Sequence, residues 1–413
     1  MQFTNKLKIF NDPIYGFITI PNALIFDVIE HPVFQRLRRI SQMGMSYLVY
    51  PGAHHTRFHH ALGAMHLMQQ AVEVLRFKGT KISEEEEQAL YLAILLHDIG
   101  HGPFSHALEQ EIVLGMHHES ISLRLMEYIN EVFDRKLTLA INIFKGTYSR
   151  KFMNQLVSSQ LDMDRLDYLK RDSFYSGVAE GNINSDRLIK MLQVHQDELV
   201  LEEKSIFSVE KFLMARRLMY WQAYLHKTSL VAELMLLKTI QRARKLISKG
   251  VEVTGPKRLL YFLSRSEQEQ FSMEDLSIFI QLDDHDIMVA LKEWQNHPDK
   301  VLGELSKRLL DRNLLKVKFL NQAVSSDSMQ QIRSYLQKKL GWDESLAKHF
   351  VFKGKIKTLT YNKTSEPIKI IHKNGMVEVL EDASPSISHS AHHKPDTKHY
   401  AVFPKEAREV VNF

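Results

Sequence analysis

LYLAILLHDIGHGPFSHALEQEIVLGMHHE, from Leu90 to Glu119, is the stretch around which the rest of the chain is organised. An apolar run from Ala89 to Leu96 delivers adjacent His97 and Asp98 into a glycine-broken segment, and His101, His106, His117 and His118 follow. A buried helix that stops here can turn both polar residues into one cavity, because Gly100 and Gly102 free the backbone. Neutral imidazole beside carboxylate suits a borderline divalent cation. A core histidine next to a helix cap accounts for one such residue. Five histidines and an aspartate within 22 residues point instead to a catalytic centre.

Composition bounds the rest. With 413 residues and 44% hydrophobic content, the chain can bury a large core, divided into one big helical domain and a smaller appendage. Net charge is +5, a mild basic excess that fits a polyanionic substrate without requiring nucleic acid. Cysteine is absent, which excludes disulfides and thiolate metal sites, so metal ligands must be His, Asp or Glu. The N-terminal MQFTNKLKIFNDPIYGF has no apolar core of signal-peptide length, and no run approaches the roughly 20 apolar residues needed to cross a bilayer. A cytoplasmic location without membrane contact is expected.

Periodicity places the elements. KIFNDPIYGFITIP, Lys8 to Pro21, predicts a hairpin around an Asn-Asp-Pro turn. Phe34, Leu37, Ile40 and Met43 recur at three-residue steps opposite Gln35, Arg36, Arg38 and Arg39, predicting an amphipathic helix with a basic face that is ordinarily solvated. Ala61 to Phe77 reads as a helix, with His66 structural. The acidic run Glu84 to Glu87 suits the first turn of the helix leading to His97, since carboxylates there oppose the macrodipole. HHESISLRLMEYI predicts a further amphipathic helix. In QLDMDRLDYLKRDSFYSG, Asp164, Tyr168 and Asp172 fall at four-residue steps and share one helix face, with Asp162 and Asp167 within a turn of them. KFLMARRLMYWQAYLHKTSL repeats the device with Arg216, Tyr220 and Tyr224, a cation beside two phenols.

A long helix is expected over Ser229 to Gly250, and helical pieces, LSKRLLDRNLLKVKFL among them, from Pro256 to Leu340. Asp283, Asp284, His285 and Asp286 read as a helix cap rather than a metal site. Beyond Val351 the pattern turns to β. KTLTY and PIKIIHKNGMVEVLED surround an Asn374-Gly375 hairpin signal, and HYAVFPKE reads as a last strand. Between them lies a polar segment in which His389, His392 and His393 could take up metal adventitiously.

The His97-Asp98 doublet resembles that of the HD-domain metal-dependent phosphohydrolases. The longer HDIGHGPFSH, with HPVFQRLRRISQMG and YPGAHHTRFHHALG before it, is similar to the deoxynucleoside triphosphate triphosphohydrolase branch, which includes the SAM and HD domain proteins and bacterial dGTPases. Specific motifs run from about Asn11 to Thr228. The resemblance implies a mainly α fold: an HD-domain helical bundle with an N-terminal hairpin over 1–235, a helical extension over 236–350 and a small α+β lobe over 351–413.

It also implies roles for particular residues. His60 rather than His59 would join His97, Asp98 and Asp164 as metal ligands, and Gly63 would allow close helix packing. Asp162 and Asp167 would serve as a cap or ion-pair partner. Gln42 would lie near the substrate, Arg57, Arg165 and Arg216 would face phosphate, Tyr168 the nucleotide and Asp172 the sugar 3′-hydroxyl. Tyr224 would pack under the deoxyribose and crowd out a 2′-hydroxyl. His226 agrees with the motif, whereas Tyr220 stands where the best-known relatives have His. His106 and His118 would carry protons, with Glu119 orienting His118 and His101 nearer the phosphate chain; Glu109 replaces a frequent Asp, and its longer side chain is expected to shift His106. Gln35 and Arg38, and separately Arg187 and Lys204, match regulatory positions that bind an activating GTP or dNTP between subunits of a dimer or tetramer. Glu30, Met191 and Glu202 depart from that pattern.

The expected chemistry is hydrolysis of a dNTP to deoxynucleoside and triphosphate with one divalent ion (Mn²⁺, Fe²⁺, Zn²⁺ or Mg²⁺), and a further Mg²⁺ could accompany the triphosphate. The enzymatic rival is an HD phosphohydrolase acting on a monophosphate, a cyclic nucleotide or a guanosine polyphosphate. The rival of another class is a protein that binds nucleotide or single-stranded nucleic acid without turnover.

Overall fold

In a computed structural model, residues 8–358, 361, 366–384 and 396–411 are described, and the chain is mainly α. His389, His392, His393 and part of KTLTY lie outside those residues, as does the side chain of His106. The helix Glu84–Leu96 forms as its sequence demands. Ser83 and Glu86 exchange backbone hydrogen bonds in a capping box, four glutamates fill the first turn, and every residue from Ala89 to Leu96 is buried. Each fully buried aliphatic side chain there is worth about 1.5–3 kcal/mol.

The helix Arg57–Phe77 packs on Glu84–Leu96 and on Met163–Ser176. Close approach to the latter depends on Gly63, where a Cβ would stand 2.1 Å from Asp167 Oδ1. Gly100 plays the same part behind the His-Asp turn, because a Cβ there would come within 2.3 Å of both the His118 carbonyl oxygen and the Ser122 nitrogen, at the start of the helix His118–Val132. Asp162 caps Met163–Ser176 by accepting from the Arg165 amide at 2.7 Å, as a cap reading of that residue requires. Asp283 likewise caps Asp284–Trp294.

The amphipathic helix expected over Phe34 to Met43 does not form. Pro32–Gln35 makes one α turn, Arg36–Arg39 tightens into a 3-10 turn, and Ile40 is extended at φ −121°, ψ 115°. Leu37, Ile40 and Met43 are still buried, but so is Arg36, with 0% exposure. Its guanidinium donates to the carbonyls of Leu282 at 2.8 Å, Ile99 at 3.2 Å and His101 at 2.5 Å. Two of those carbonyls belong to the turn that ends the His97 helix, where carbonyls lack helical partners. A tertiary requirement for a buried donor thus overrides the local period.

Three small sheets attach to the helices. Lys8–Asp12 pairs antiparallel with Gly16–Ile20, as the sequence predicts. An unanticipated hairpin, Leu192–His195 with Glu198–Glu202, turns through Gln196 and Asp197 at φ +50° and +61°. It is joined in parallel by Lys369–Ile371 and then by Val377–Val379, the expected hairpin around Gly375. Lys316–Leu320, expected to end a helix, is instead a strand against Asp396–Phe403, whose other edge carries Phe352–Thr358. Arg312 at φ +52° breaks the preceding helix Lys300–Leu310, and the KVKFL alternation then follows the strand period. One hydrophobic cluster runs from Ile18 to Val402, with a small second one around Met329, Ile332, Leu336 and Phe403. No helix among the described residues is long and apolar enough to cross a membrane.

Replacing Arg36 with Met keeps the volume but strands three buried carbonyls. The R36M chain is expected to lose roughly 3 kcal/mol or more of unfolding free energy in urea titration; a loss under about 0.5 kcal/mol would show that the guanidinium is dispensable.

Candidate active site

Three helices aim side chains at one buried point. His60 projects from Arg57–Phe77, His97 stands at the end of Glu84–Leu96, and Asp164 lies in the first turn of Met163–Ser176. His60 Nε2 is 3.1 Å from Asp164 Oδ1, His97 Nε2 is 3.3 Å from the same oxygen, and the two nitrogens are 3.4 Å apart. Donors about 2.0–2.2 Å from a common ion stand about 3.0–3.5 Å from one another, so the triangle has the size of a coordination shell. The far side of each ring supports this. His60 Nδ1 donates to Asp167 Oδ2 at 2.7 Å, and His97 Nδ1 donates to the Ile94 carbonyl at 2.6 Å, which leaves both Nε2 lone pairs facing inward.

Asp98 stands at the edge of that point, 3.4 Å from His97 Nε2 and 3.8 Å from His60 Nε2. Its oxygens are also engaged by Arg57 at 2.5 Å and by His101 Nε2 at 3.2 Å, and with His101 and His118 it forms a second group that could hold a metal ion. The charges explain the protonation. Burial depresses His60, but hydrogen bonds to Asp164 and Asp167 outweigh it and raise the imidazole to about 10 in the metal-free chain. Burial works against Asp164 too, and its histidine hydrogen bonds hold its carboxyl far below the usual range. His101 is pushed well down, by burial first and then by Arg57.

His118 and His101 stack with ring centroids 3.9 Å apart. The carboxylate on His118 is Glu109, which accepts from His118 Nδ1 at 2.5 Å and from its backbone amide at 3.0 Å. This corrects the expectation for Glu119, which is exposed at the start of the same helix. The His118 hydrogen bond, aided by the helix start, lowers Glu109 to about 2.

Asp98, His101, Glu109, His118 and Asp164 line a cavity of about 400 Å³. Gln42, Arg57, Arg165, Tyr168, Asp172, Tyr220 and Tyr224 continue its wall. Arg216 and His226 are not in that lining. Arg216 is buried with a 3.4 Å contact to Gln160, and His226 caps the helix Lys227–Ile247 by accepting from the Thr228 amide. Tyr220–Tyr224 is a π turn rather than a continued α-helix, closed by the Leu225 amide on the Tyr220 carbonyl at 2.7 Å; such turns recur at functional sites. Asp172 accepts from Tyr224 Oη and from His55 Nε2, both at 2.7 Å. His55 escaped the sequence reading because its motif carries four histidines and only the fold selects among them. Of the regulatory candidates, Gln35 accepts from Arg38, whose guanidinium lies 3.6 Å from the Phe58 ring centroid. Arg187 donates to the Lys204 carbonyl at 3.1 Å.

A proton on His60 must leave before an ion is gripped. Metal uptake by the full chain is therefore expected to release protons below about pH 10, with apparent affinity falling as pH falls, read by calorimetry in buffers of different ionisation enthalpy. Uptake without proton release would contradict the ligand assignment. D167N, which removes the charge behind His60 and also weakens the buried pair with Arg171, is expected to weaken metal binding roughly 10–100-fold.

An HD domain family profile matches residues 57–172, and an HD associated region profile matches residues 183–255. An uncharacterised protein, YwfO of Bacillus subtilis, is 32% identical over 97% of this chain and 92% of its own length. The crystal structure of a phosphohydrolase from Bacteroides thetaiotaomicron is 49% identical and superposes with a TM-score of 0.93 over 97% of this chain and 100% of that one. The Dictyostelium discoideum homologue of the deoxynucleoside triphosphate triphosphohydrolase SAMHD1 is 30% identical over 61% of this chain, a match spanning about half of that relative (52%). Metal-sized donor geometry around His97 of the HD doublet and kinship along nearly the whole chain converge: the protein belongs to the HD-domain phosphohydrolase family.

Proposed function

We propose that this chain hydrolyses deoxynucleoside triphosphates to deoxynucleoside and inorganic triphosphate. The observation that carries the reading is one cavity whose lining joins Asp164 of the metal-sized donor cluster to two arginines and to Tyr168, Asp172 and Tyr224, a set that suits phosphate and sugar. The relation to SAMHD1 proteins supports it.

His60, His97 and Asp164, with Asp98 beside them, would hold a divalent cation. When bound, that cation supplies Lewis acidity at phosphate and a water of lowered pKa. Arg57 and Arg165 offset the charge of the triphosphate and the charge developing in the transition state. Glu109 fixes the Nδ1 proton of His118, so its Nε2 is the atom that gives a proton to the departing 5′-oxygen. His101, held neutral by burial and Arg57, hydrogen-bonds rather than carries charge. Asp172, with both oxygens already fixed by His55 and Tyr224, keeps spare lone pairs for the sugar 3′-hydroxyl. We assign regulation by GTP or a dNTP to the Gln35–Arg38 and Arg187–Lys204 surfaces in a cytoplasmic homo-oligomer; rate measured with and without added GTP tests it.

Product analysis across the four dNTPs with Mn²⁺ or Mg²⁺ is expected to give triphosphate. Release of only pyrophosphate or orthophosphate would overturn the reaction assigned. In the same assay E109A is expected to lose roughly 10–100-fold in rate, while E119A stays within about twofold. The reverse pattern would restore Glu119 as the orienting carboxylate.

A further inference from the structure

The carboxyl side chains lining the cavity divide four to one. Asp98 is engaged by Arg57 and His101, Glu109 by His118, Asp164 by His60 and His97, and Asp172 by His55 and Tyr224. Glu233, on the helix Lys227–Ile247, has no hydrogen-bond or ion-pair partner among the described residues. Burial alone pushes its carboxyl up to about 8. Glu233 is half-buried, the cavity is the side from which a partner can arrive, and a carboxyl left without one in such surroundings is costly to keep.

Its place in the cavity narrows what that partner is. With the phosphates at the donor cluster and the sugar against Tyr168, Asp172 and Tyr224, the lining left over is Gln42, Met43, Ser46, Tyr220, Leu225 and Glu233. Met43 and Leu225 offer apolar contact to a flat ring. The Gln42 Oε1 is buried without a hydrogen-bond partner, so Gln42 and Glu233 are two side chains of this lining with hydrogen-bonding capacity to spare. The Glu233 carboxyl lies over Gly44, where a Cβ would stand 3.2 Å from its Oε1, so the bare backbone leaves it room.

We propose that Glu233 reads the nucleobase and selects guanine, its two oxygens accepting from the adjacent N1–H and N2–H of that ring. The inference rests on the nucleotide reading of the cavity given above. Guanine alone among the four bases presents two neighbouring N–H donors on its pairing edge. Adenine, cytosine and thymine each place a donor beside an acceptor, so an ionised carboxylate meets a lone pair with one of its oxygens. Hydrogen bonds to a charged acceptor are the stronger kind, and a carboxyl that ionises near pH 8 gives up its proton to them at small cost.

The test compares wild type and E233Q at pH 8. Glutamine keeps the shape but offers one donor and one acceptor, a pattern every base can satisfy in part. Wild type is expected to favour dGTP over each other dNTP by roughly tenfold or more in kcat/KM, and E233Q to bring all four within about threefold while still releasing triphosphate from dATP and dTTP. Equal use of all four by wild type, or a dGTP preference that survives E233Q, would overturn the assignment of Glu233 and leave the reaction intact. Binding of the four deoxynucleosides, measured by calorimetry on the full chain, needs no turnover. A deoxyguanosine preference lost in E233Q, with no triphosphate from any dNTP, would keep the base assignment and overturn the reaction instead.

Discussion

Two imidazoles and a carboxylate held within 3.4 Å of one another where burial weakens solvation need positive charge between them, as protons or as a cation. That necessity organises the molecule. From His60 a chain of contacts runs outward through fully buried groups: His60 to Asp167 at 2.7 Å, Asp167 to Arg171 at 2.9 Å, and Arg171 to Asp12 at 2.8 Å. Asp12 closes the N-terminal hairpin, so the first strands of the chain are tied to the ligand cluster by alternating charge. Gly63 is the opening through which the chain passes, since any side chain there would occupy the Asp167–Arg171 pair.

The turn that carries His97, Asp98 and His101 is fixed from its other side by hydrogen bonds to its backbone. Ser122 Oγ donates to the His97 carbonyl at 2.7 Å and accepts from the Gly100 amide at 2.9 Å, while Arg36 collects the carbonyls of Ile99 and His101. Asp284 accepts from the amides of Ser41 and Phe104 and so couples this turn to the segment before the first ligand. Phe104 sits at φ +44°, a conformation unfavourable for an aromatic residue and kept here by its surroundings. A helical region far along the sequence therefore braces the His-Asp turn.

Much of this was legible before any coordinates. The His97-Asp98 helix, the capping acids, the Asp164 face and both the first and last hairpins follow from periodicity and turn chemistry. What escaped has a common cause, partners distant in sequence. Arg36 reads as surface because its three acceptors lie 63, 65 and 246 residues away. Glu119 adjoins His118 in sequence while Glu109 stands nine residues before it, and only the fold of Ser105–Ile112 against His118–Val132 selects the latter. Lys316–Leu320 is a strand because Asp396–Phe403 offers it an edge, and Glu233 looks like one more polar residue on an amphipathic helix until the cavity beside it is seen.

The central claim is that one divalent cation sits where His60, His97 and Asp164 converge. Anomalous diffraction at the absorption edge of Mn or Fe, on crystals of protein loaded with that metal, tests it most directly. A single peak roughly 2.0–2.3 Å from His60 Nε2, His97 Nε2 and an Asp164 oxygen is the predicted result. A peak only among Asp98, His101 and His118, or none at either group, would contradict it.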